Sequence, residues 1–552
     1  MRHDVADAAP HDPFAGPIAR PRPRDRMAWD AWGTDPASIP AAARPLLALV
    51  LRGRPHPIPR IPPGERELTA SRATDDDVRA LAKIVGAGSV ARDDERRALH
   101  LGGKSTPDLI ARRRAGAQDA PDLVVAPADH RDVAAVLGLC AERGIAVVPF
   151  GGGTSVVGGV QPDRGGHRAV IALDLERTAG LHGIDEVSLL ARFGAGTTGP
   201  QAEELLGARG FTLGHFPQSF EYASLGGYAA TRSSGQASRG FGRFDDLVHG
   251  LRVATPSGDL DLGRAPTSAA GPDLRALFLG SEGTLGVITE VTVRIRPIAA
   301  AHAYGAWTFP DFAAGTAALR ALTQSGVRPT VLRLSDETET TVTATLGAHL
   351  TRRKGCLAVA TFEGANPAEA DAVATATDTL FRAHGAKARG ESPARSWERG
   401  RFASPALRDA LLDAGVLAET LETATTWARL PALKAAVTAA LTDALTDAPG
   451  ADGAKPIIMC HISHVYPAGA SLYFTVVAAL TADPDGQWAR AKHAASDAIA
   501  AAAATITHHH AVGTDHRPWL EQEVGALGVR ILRAVKDELD PTGILNPGKL
   551  IP

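Results

Sequence analysis

Three consecutive histidines, His508, His509 and His510, lie near the end of this 552-residue chain in the stretch "TITHHHAVGT". Imidazole has a reference pKa of about 6.5, so at neutral pH it can donate a hydrogen bond to a phosphate or accept a proton. These side chains therefore suit proton removal from a carbon beside a ketone. On an extended segment His508 and His510 would share one face and His509 would take the other.

That alternation predicts that one metal ion could not easily bind all three side chains. We predict no metal site, because no acidic ligand lies nearby in the sequence. Two alternatives stay open: a metal centre that also uses His461 and His464, and a solvated surface tract.

A glycine-rich loop, "PFGGGTSVVGG" at 149–159, follows an apolar stretch. Three successive glycines expose backbone N–H groups, and Thr154 and Ser155 add hydroxyl donors, so the loop suits a pyrophosphate. It lacks the GK[ST] ending of a P-loop, which disfavours a triphosphate with magnesium. A flexible hinge is the alternative interpretation.

A second glycine stretch, "FGAGTTG" at 193–199, formally satisfies the GxGxxG pattern of a Rossmann site. The next predicted strand, "FTLGHF", ends without the acidic residue that should bind the ribose hydroxyls. We interpret this stretch as a strand-to-helix turn that requires small residues.

The predicted elements around these residues divide the chain into four parts. Residues 1–67 form a Pro-rich N-terminal arm, in which "RPRPRDRMAWDAWG" and "RGRPHPIPRIPPG" are too Pro-dense for regular structure. Trp29 and Trp32 would anchor it. Residues 68–299 alternate strands and helices, residues 300–504 mix Ala-rich helices with strands such as "ASLYFTVVAAL", and residues 505–552 form a C-terminal segment. The expected fold class is α+β.

Composition excludes several classes of protein. With 58 Lys plus Arg against 61 Asp plus Glu, no bulk charge favours nucleic acid. The three cysteines show no CxxC spacing, which fits a reducing compartment. No apolar run reaches the roughly 20 residues of a membrane-spanning helix. We expect a soluble cytoplasmic protein.

Two further loops, "LGGYAATRSSG" and "GSEGTLGVIT", follow the Gly loop in an order that resembles the vanillyl-alcohol-oxidase flavoprotein superfamily. The resemblance implies a PCMH-type FAD-binding domain of two subdomains, an α+β cap domain with an antiparallel sheet, and non-covalent FAD. It implies that the C-terminal segment returns to the flavin site. The residues it assigns to FAD are Pro149, Gly151, Gly152, Gly153, Thr154, Ser155, Pro217, Ser219, Gly226, Gly227, Thr231, Ser234, Glu282, Gly283, Val287 and Ile288.

Within this superfamily, the 2-hydroxy-acid dehydrogenases carry "HxGDGNxH" and "EHGIG" blocks. This chain instead reads "CHISHVYPAGASLYFTV" and "THHHAVG" there. With "MAWDAWG", "FEYASLGG" and "LETATTWARL", these stretches resemble the alkylglycerone-phosphate synthase family. That resemblance implies exchange of the acyl chain of acyl-dihydroxyacetone phosphate for a fatty alcohol, a redox-neutral step of ether lipid synthesis. The terminal "NPGKL" is also common among the dehydrogenases, so an FAD-dependent dehydrogenase or oxidase of a hydroxy acid or alcohol remains the alternative.

The same resemblance implies roles for single residues. Tyr473 would activate the leaving carboxylate, and the group of His508, His509 and His510 would accept the proton and contact substrate. Arg333 and Arg408 would bind the substrate phosphate, where a guanidinium suits bidentate oxygens. Lipid-like substrates further predict peripheral contact with a membrane, for which we expect a surface of the cap, and leave a homodimer open.

Overall fold

The computed structural model describes residues 14, 17–22, 26–34, 38–51, 56–114, 116–346 and 355–552. The helices are α1 Arg44–Leu51, α2 Asp75–Val85, α3 Asp94–Ala98, α4 Thr106–Arg112, α5 His130–Arg143, α6 Gly199–Gly207, α7 Leu225–Thr231, α8 Ser238–Phe241, α9 Phe244–Leu247, α10 Arg275–Phe278, α11 Phe312–Gln324, α12 Glu337–Leu346, α13 Pro367–Ala383, α14 Ser392–Gly400, α15 Ser404–Asp413, α16 Leu430–Thr446, α17 Pro484–Ala501 and α18 Leu520–Leu539.

The strands of the N-terminal half are β1 Val90–Ala91, β2 Leu123–Val125, β3 Ile145–Phe150, β4 Ala169–Asp174, β5 Leu181–Asp185, β6 Leu190–Gly194, β7 Phe211–Thr212, β8 Val248–Thr255, β9 Gly258–Leu262, β10 Val287–Arg294 and β11 Arg296–Pro297. Those of the C-terminal half are β12 Ala301–Phe309, β13 Val331–Ser335, β14 Cys356–Gly364, β15 Lys387–Ala388, β16 Val416–Thr426, β17 Ile457–Ile462, β18 Val465–Tyr466 and β19 Gly469–Ala479.

Two sheets carry the N-terminal half. The first has the order β1-β2-β4-β3, and its strands β2, β4 and β3 are parallel to one another. The second has the order β5-β6-β10-β8-β9 and is antiparallel throughout. One apolar core joins both sheets, and it includes Val147, Ile171 and Val291. This pair of sheets is the two-subdomain arrangement predicted for the FAD-binding domain.

A larger antiparallel sheet carries the C-terminal half, in the order β15-β12-β14-β13-β17-β19-β16, with β18 beside β19. Helices such as α11, α13, α16 and α17 bury apolar side chains in its own core. The sheet matches the predicted cap. Its edge strand β16 lies beside the C-terminal segment, because Ala424 of β16 bridges Thr505.

The second glycine stretch is a tight turn, as interpreted. A Cβ atom at Gly194 would lie 1.8 Å from the carbonyl oxygen of Thr178, and one at Gly196 would lie 1.9 Å from that of Leu175. Glycine is needed there because the backbones approach closely, and the interpretation as a turn requires no nucleotide.

Two local predictions differ from the structure. The N-terminal arm contains a regular helix, α1, because the apolar "RPLLALVL" lies between the two Pro-dense stretches rather than in them. The apolar stretch "GVITEVTVRIRP" predicts one strand that is closed by Pro297. In the structure this strand ends at Arg294, and Pro297 belongs to a separate two-residue strand paired with β7. Trp29 and Trp32 are buried, in line with an anchored arm.

In the described part of the chain, no helix is both long enough and apolar enough to cross a membrane.

Candidate active site

The Gly loop begins where β3 ends, and its glycines are packed against a neighbouring turn. A Cβ atom at Gly152 would lie 2.1 Å from the carbonyl oxygen of Tyr222, and Gly153 has φ +67 with the ring of Phe150 behind it. In the part of the chain that the structure describes, no acceptor lies within hydrogen-bond distance of the backbone N–H groups of Gly152, Gly153 and Thr154. These free donors fit the pyrophosphate of FAD.

The other residues predicted to bind FAD gather around this loop. Pro149 lies against Gly283, since a Cβ there would come within 2.8 Å of its ring, and Gly151 similarly contacts Ser224. The carbonyl groups of Pro217 and Ser219 accept N–H bonds within the turn at 217–223. Gly226, Gly227 and Thr231 lie in α7, where Thr231 Oγ1 donates to the Gly227 carbonyl at 2.9 Å. Ser155 Oγ accepts from Gly159 N, and Val287 and Ile288 begin β10 as buried residues.

Glu282 binds the C-terminal segment. Its two carboxylate oxygens accept the backbone N–H groups of Val512 and Gly513, each at 2.8 Å. Burial raises the pKa of this carboxyl to about 7. The amides of Thr514 and Asp515 also donate to the carbonyl oxygen of Val157 in the Gly loop. The C-terminal segment therefore returns to the Gly loop.

The three consecutive histidines do not lie on alternating faces, so that prediction is wrong. The backbone N–H groups of His508, His509 and His510 all donate to the carboxylate of Glu422, at 2.7, 3.0 and 2.9 Å. Because three successive amides converge on one side chain, the segment bends instead of extending. His508 and His509 consequently share a side, with their Nδ1 atoms 3.0 Å apart.

His464 joins His508 and His509. Its ring lies 5.1 Å from that of His508 and 5.2 Å from that of His509, and its Nδ1 is 3.1 Å from Ser234 Oγ. One ring nitrogen from each of the three histidines lies within 4.8 Å of the others. Tyr466 completes the group, because its hydroxyl lies 2.7 Å from His508 Nε2.

Tyr473 lies on β19 between His461 and the C-terminal histidines. Its ring stacks on His461 at 4.8 Å and lies 6.0 Å from His509 and 5.5 Å from His510. Burial raises the pKa of the Tyr473 phenol to about 12, so it stays protonated near neutral pH. Burial also lowers the pKa of His509 to about 4 and that of His510 to about 3. The site therefore places neutral imidazoles beside a phenol that can donate a proton.

The two arginines have different surroundings. Arg333 on β13 contacts both ring nitrogens of His461 and pairs with Glu339 at 2.6 Å. Arg408 on α15 is also largely enclosed, but its Nε and Nη2 have no hydrogen-bond partner among the described residues, and Nη2 lies 3.5 Å from the carboxylate of Asp409. Arg408 is thus the better placed of the two to bind an incoming anion.

Sequence reasoning missed Glu422, and it considered His461 and His464 only as metal ligands. Tyr466 was missed as well. A signal for Glu422 existed, because it is a carboxylate in the stretch "VLAETLETATT", whose other residues, Glu419 apart, are Val, Leu, Ala and Thr. What could not be read from the sequence was the partner, which lies 86 residues further along the chain.

Comparisons with known proteins agree with this architecture. A family model described as "FAD binding domain" matches residues 121–261, and one described as "FAD linked oxidases, C-terminal domain" matches residues 298–550. Together with the two-sheet domain and its Gly loop, they define an FAD-dependent enzyme of the FAD-linked oxidase type.

Relatives narrow the class further. The chain is 32% identical over 484 residues to alkyldihydroxyacetonephosphate synthase of Dictyostelium discoideum, covering 84% of this chain and 78% of that protein. A solved structure of alkyldihydroxyacetonephosphate synthase matches with a TM-score of 0.80 at 26% identity, covering 95% of this chain and 98% of that one. The chain also shares 28% identity with a mitochondrial D-lactate dehydrogenase of Arabidopsis thaliana, over 78% of this chain and 74% of that protein. The chain belongs to the alkyldihydroxyacetonephosphate synthase family.

Proposed function

We propose that this enzyme exchanges the acyl chain of acyl-dihydroxyacetone phosphate for a long-chain fatty alcohol and releases a fatty acid, with no net redox change. The observation that carries the proposal is the buried group that Tyr473 of β19 forms with His509 and His510, which lie on the segment that returns to the Gly loop. Neutral imidazoles beside a protonated phenol suit acid–base chemistry at a carbon next to a ketone.

Each side chain has a distinct role in this proposal. His509 or His510 accepts the proton from the substrate carbon, because both are uncharged near neutral pH. The Tyr473 hydroxyl donates to the departing carboxylate. The guanidinium of Arg408 binds the substrate phosphate through its unpartnered N–H groups, and Arg333 contributes through His461.

FAD, when bound, supplies the electron-accepting ring at which the exchange takes place. The amides of Gly152, Gly153 and Thr154 would hold its pyrophosphate. We propose that attachment is non-covalent, because the loop at 149–159 offers no His or Cys. Acid precipitation should release all the yellow colour into the supernatant, and flavin in the pellet would refute this.

The function is tested with purified holoenzyme, acyl-dihydroxyacetone phosphate and hexadecanol. The expected products are the alkyl ether and one equivalent of free fatty acid. Under anaerobic conditions the flavin should stay oxidised with D-lactate or related hydroxy acids. Rapid bleaching by such a substrate, without ether product, would show that the enzyme is a dehydrogenase.

The dehydrogenase alternative has one observation in its favour. His464, His508 and His509 bring three ring nitrogens close enough to share a metal ion, which would suit binding of a hydroxy acid. A stoichiometric metal in purified protein, lost together with hydroxy-acid oxidation on chelation, would support it. We favour the synthase, because among the described residues no carboxylate belongs to this group of nitrogens, and Glu422, 3.6 Å from His509 Nδ1, is occupied by backbone donors.

We further propose peripheral contact with a membrane and a cytoplasmic location, with a homodimer as the simplest assembly. The lipid nature of the proposed substrates supports the membrane contact, since each buried methylene adds about 0.8 kcal/mol of preference for an apolar phase. Co-sedimentation with phospholipid vesicles at low and high salt tests the contact. Protein that stays in the supernatant under every condition would exclude it.

A further inference from the structure

The carboxylate of Glu422 contacts the backbone of all three consecutive histidines. We propose that Glu422 holds the catalytic histidines in place and serves as the counterion of the imidazolium formed when one of them accepts the substrate proton. The inference rests on the proposed function, in which the histidines accept that proton. Glu422 is therefore a positioning residue.

The carboxylate of Glu422 is fully used. Oε1 accepts Thr507 Oγ1 at 2.7 Å, His509 N at 3.0 Å and His510 N at 2.9 Å, while Oε2 accepts His508 N at 2.7 Å. Four donors converge on a side chain with about four acceptor sites. Despite complete burial, the neighbouring histidines, followed by the backbone N–H groups that it accepts, hold the pKa of this carboxyl well below its usual range. The group is therefore ionised in the folded protein.

An amide could not replace this arrangement. A glutamine has one accepting oxygen and one NH2 group, and the NH2 group would face a backbone N–H that needs an acceptor. Aspartate would keep the charge but lack one methylene of reach. Glu422→Gln therefore removes the charge and keeps the length of the side chain, whereas Glu422→Asp keeps the charge and shortens the side chain.

The charges that face the histidines point to the counterion role. His508 faces Arg232 and Arg243, His509 faces Arg243, and His510 faces Lys492, and each of these cations lowers the pKa of the imidazole. Lys492 is itself paired with Asp515 at 2.6 Å. The neighbouring rings of His461, His464, Tyr466 and Tyr473 carry no negative charge near neutral pH.

Glu422 acts in the opposite direction on all three histidines, because its negative charge raises their pKa values against the effect of burial. Arg232 and Arg243 are themselves paired with Asp245. Glu422 is thus the carboxylate that acts on all three imidazoles, and without its charge a proton on any of them would lose that stabilisation. The reaction needs such a proton to be held for the time between its removal and its transfer onward. A fixed carboxylate that already faces the segment needs no rearrangement to stabilise it.

The test compares Glu422→Gln with Glu422→Asp in the FAD-loaded enzyme. We expect Glu422→Gln to lower kcat about 10- to 100-fold while KM stays within about threefold. The reason is that loss of the carboxylate would lower the pKa of the catalytic imidazole by about one or two units and so weaken it as a base. Glu422→Asp should recover part of kcat, because it restores the charge. A purely structural role would instead make the two variants equally poor or raise KM.

The matched control is Asp122→Asn. Asp122 is also a buried carboxylate that accepts two backbone N–H groups, from Arg72 and Val170, each at 2.7 Å, but it lies away from the histidines. We expect this variant to lower thermal stability and leave the ratio of kcat to KM near that of the wild type.

A second readout does not depend on the substrate. Hydrogen exchange of the amides at 508–510, measured by mass spectrometry on holoenzyme without substrate, should speed up at least about tenfold in Glu422→Gln and not in Asp122→Asn. Unchanged exchange, or wild-type kcat in Glu422→Gln, would overturn the proposal. If the wild type makes no ether product while its exchange behaves as expected, the proposed function fails and the anchoring of the segment stands.

Discussion

At the scale of single residues, burial decides which protonation states the site can use. The pKa of Tyr473 is raised and the pKa values of the C-terminal histidines are lowered for the same reason. Removal from water penalises the charged form, which is the phenolate for tyrosine and the imidazolium for histidine. Tyr473 and these histidines are therefore uncharged near neutral pH.

Tyr473→Phe and His510→Ala should each abolish acyl-for-alkyl exchange while FAD stays bound. Loss of a general acid or base costs about two to four orders of magnitude, so the effect on kcat should be clear. Product formation and the flavin absorbance of each purified variant measure the two effects. Tyr304→Phe is the control, because its hydroxyl bonds only Glu398 on the cap. Exchange at the wild-type rate in Tyr473→Phe would remove this residue from the mechanism.

The two arginines should respond differently to truncation. Arg333→Ala leaves the buried Glu339 without its cation, so it should cost about 3–5 kcal/mol of unfolding free energy. Arg408→Ala removes a guanidinium that has unpartnered N–H groups, so it should raise KM for the phosphate substrate at least about tenfold with a smaller loss of stability. Denaturant unfolding and steady-state kinetics distinguish the two outcomes. Equal effects on both quantities would contradict the assignment.

At the scale of elements, the site is formed by loops and by residues of the strands beside them. The Gly loop extends from β3, Glu422 lies on β16, and the histidines lie between α17 and α18. Glu422 from the large sheet and Glu282 from the loop before β10 hold the segment at 508–513 from two sides. Strands and short carboxylate contacts thus fix a segment that has no regular structure of its own.

Gly152→Ala should abolish FAD retention. The added Cβ would lie 2.1 Å from the Tyr222 carbonyl, so the loop must move and its free amides would lose their alignment. Gly138→Ala in α5 is the control, since no atom lies within 4 Å of its Cβ position and alanine favours a helix. The ratio of flavin to protein absorbance after purification is the measurement. A full complement of flavin in Gly152→Ala would refute the role of this loop.

At the scale of the whole molecule, the N-terminal arm ties the two halves together. Lys104 donates to the carbonyl oxygens of Ala28 and Trp29, and Arg112 donates to that of Trp29 at 2.7 Å. On the other side, the Trp32 amide donates to Asp409 of α15 in the cap. The segment at 28–32 therefore binds Lys104 and Arg112 of the N-terminal half and Asp409 of the cap.

A truncation that removes residues 1–34 should lower the melting temperature by roughly 5 °C or more. The Lys104 ammonium would lose the carbonyl oxygens of Ala28 and Trp29, and Arg112 would lose that of Trp29 while it keeps that of Gly103. Each unsatisfied buried group costs about 1–3 kcal/mol. Thermal unfolding followed by flavin fluorescence measures the loss. Arg60→Ala, which removes a partly exposed ion pair to Asp413, is the control and should change little. An unchanged melting temperature after truncation would show that the arm does not support the fold.

The sequence by itself determined the parts of this protein that depend on local pattern. Strand–helix–strand periodicity before "GGGTS" predicted β2, α5, β3 and the Gly loop, and the apolar alternation of "ASLYFTVVAAL" predicted β19. Motif order indicated the flavoprotein class, and the missing acidic blocks favoured the synthase over the dehydrogenases, which remained the alternative. Such features depend on residues that are close together in the sequence.

Only the tertiary structure decided how the three histidine side chains are arranged relative to one another. A run of three histidines suggests alternation if the chain is extended, but a carboxylate 86 residues earlier in the sequence bends the segment and turns His508 and His509 to one side. The same holds for the unequal arginines, because the partners of Arg333 come from α12 and β17. Contacts between distant residues depend on how the sheets pack, and the free energy of a buried charge depends on all the groups around it.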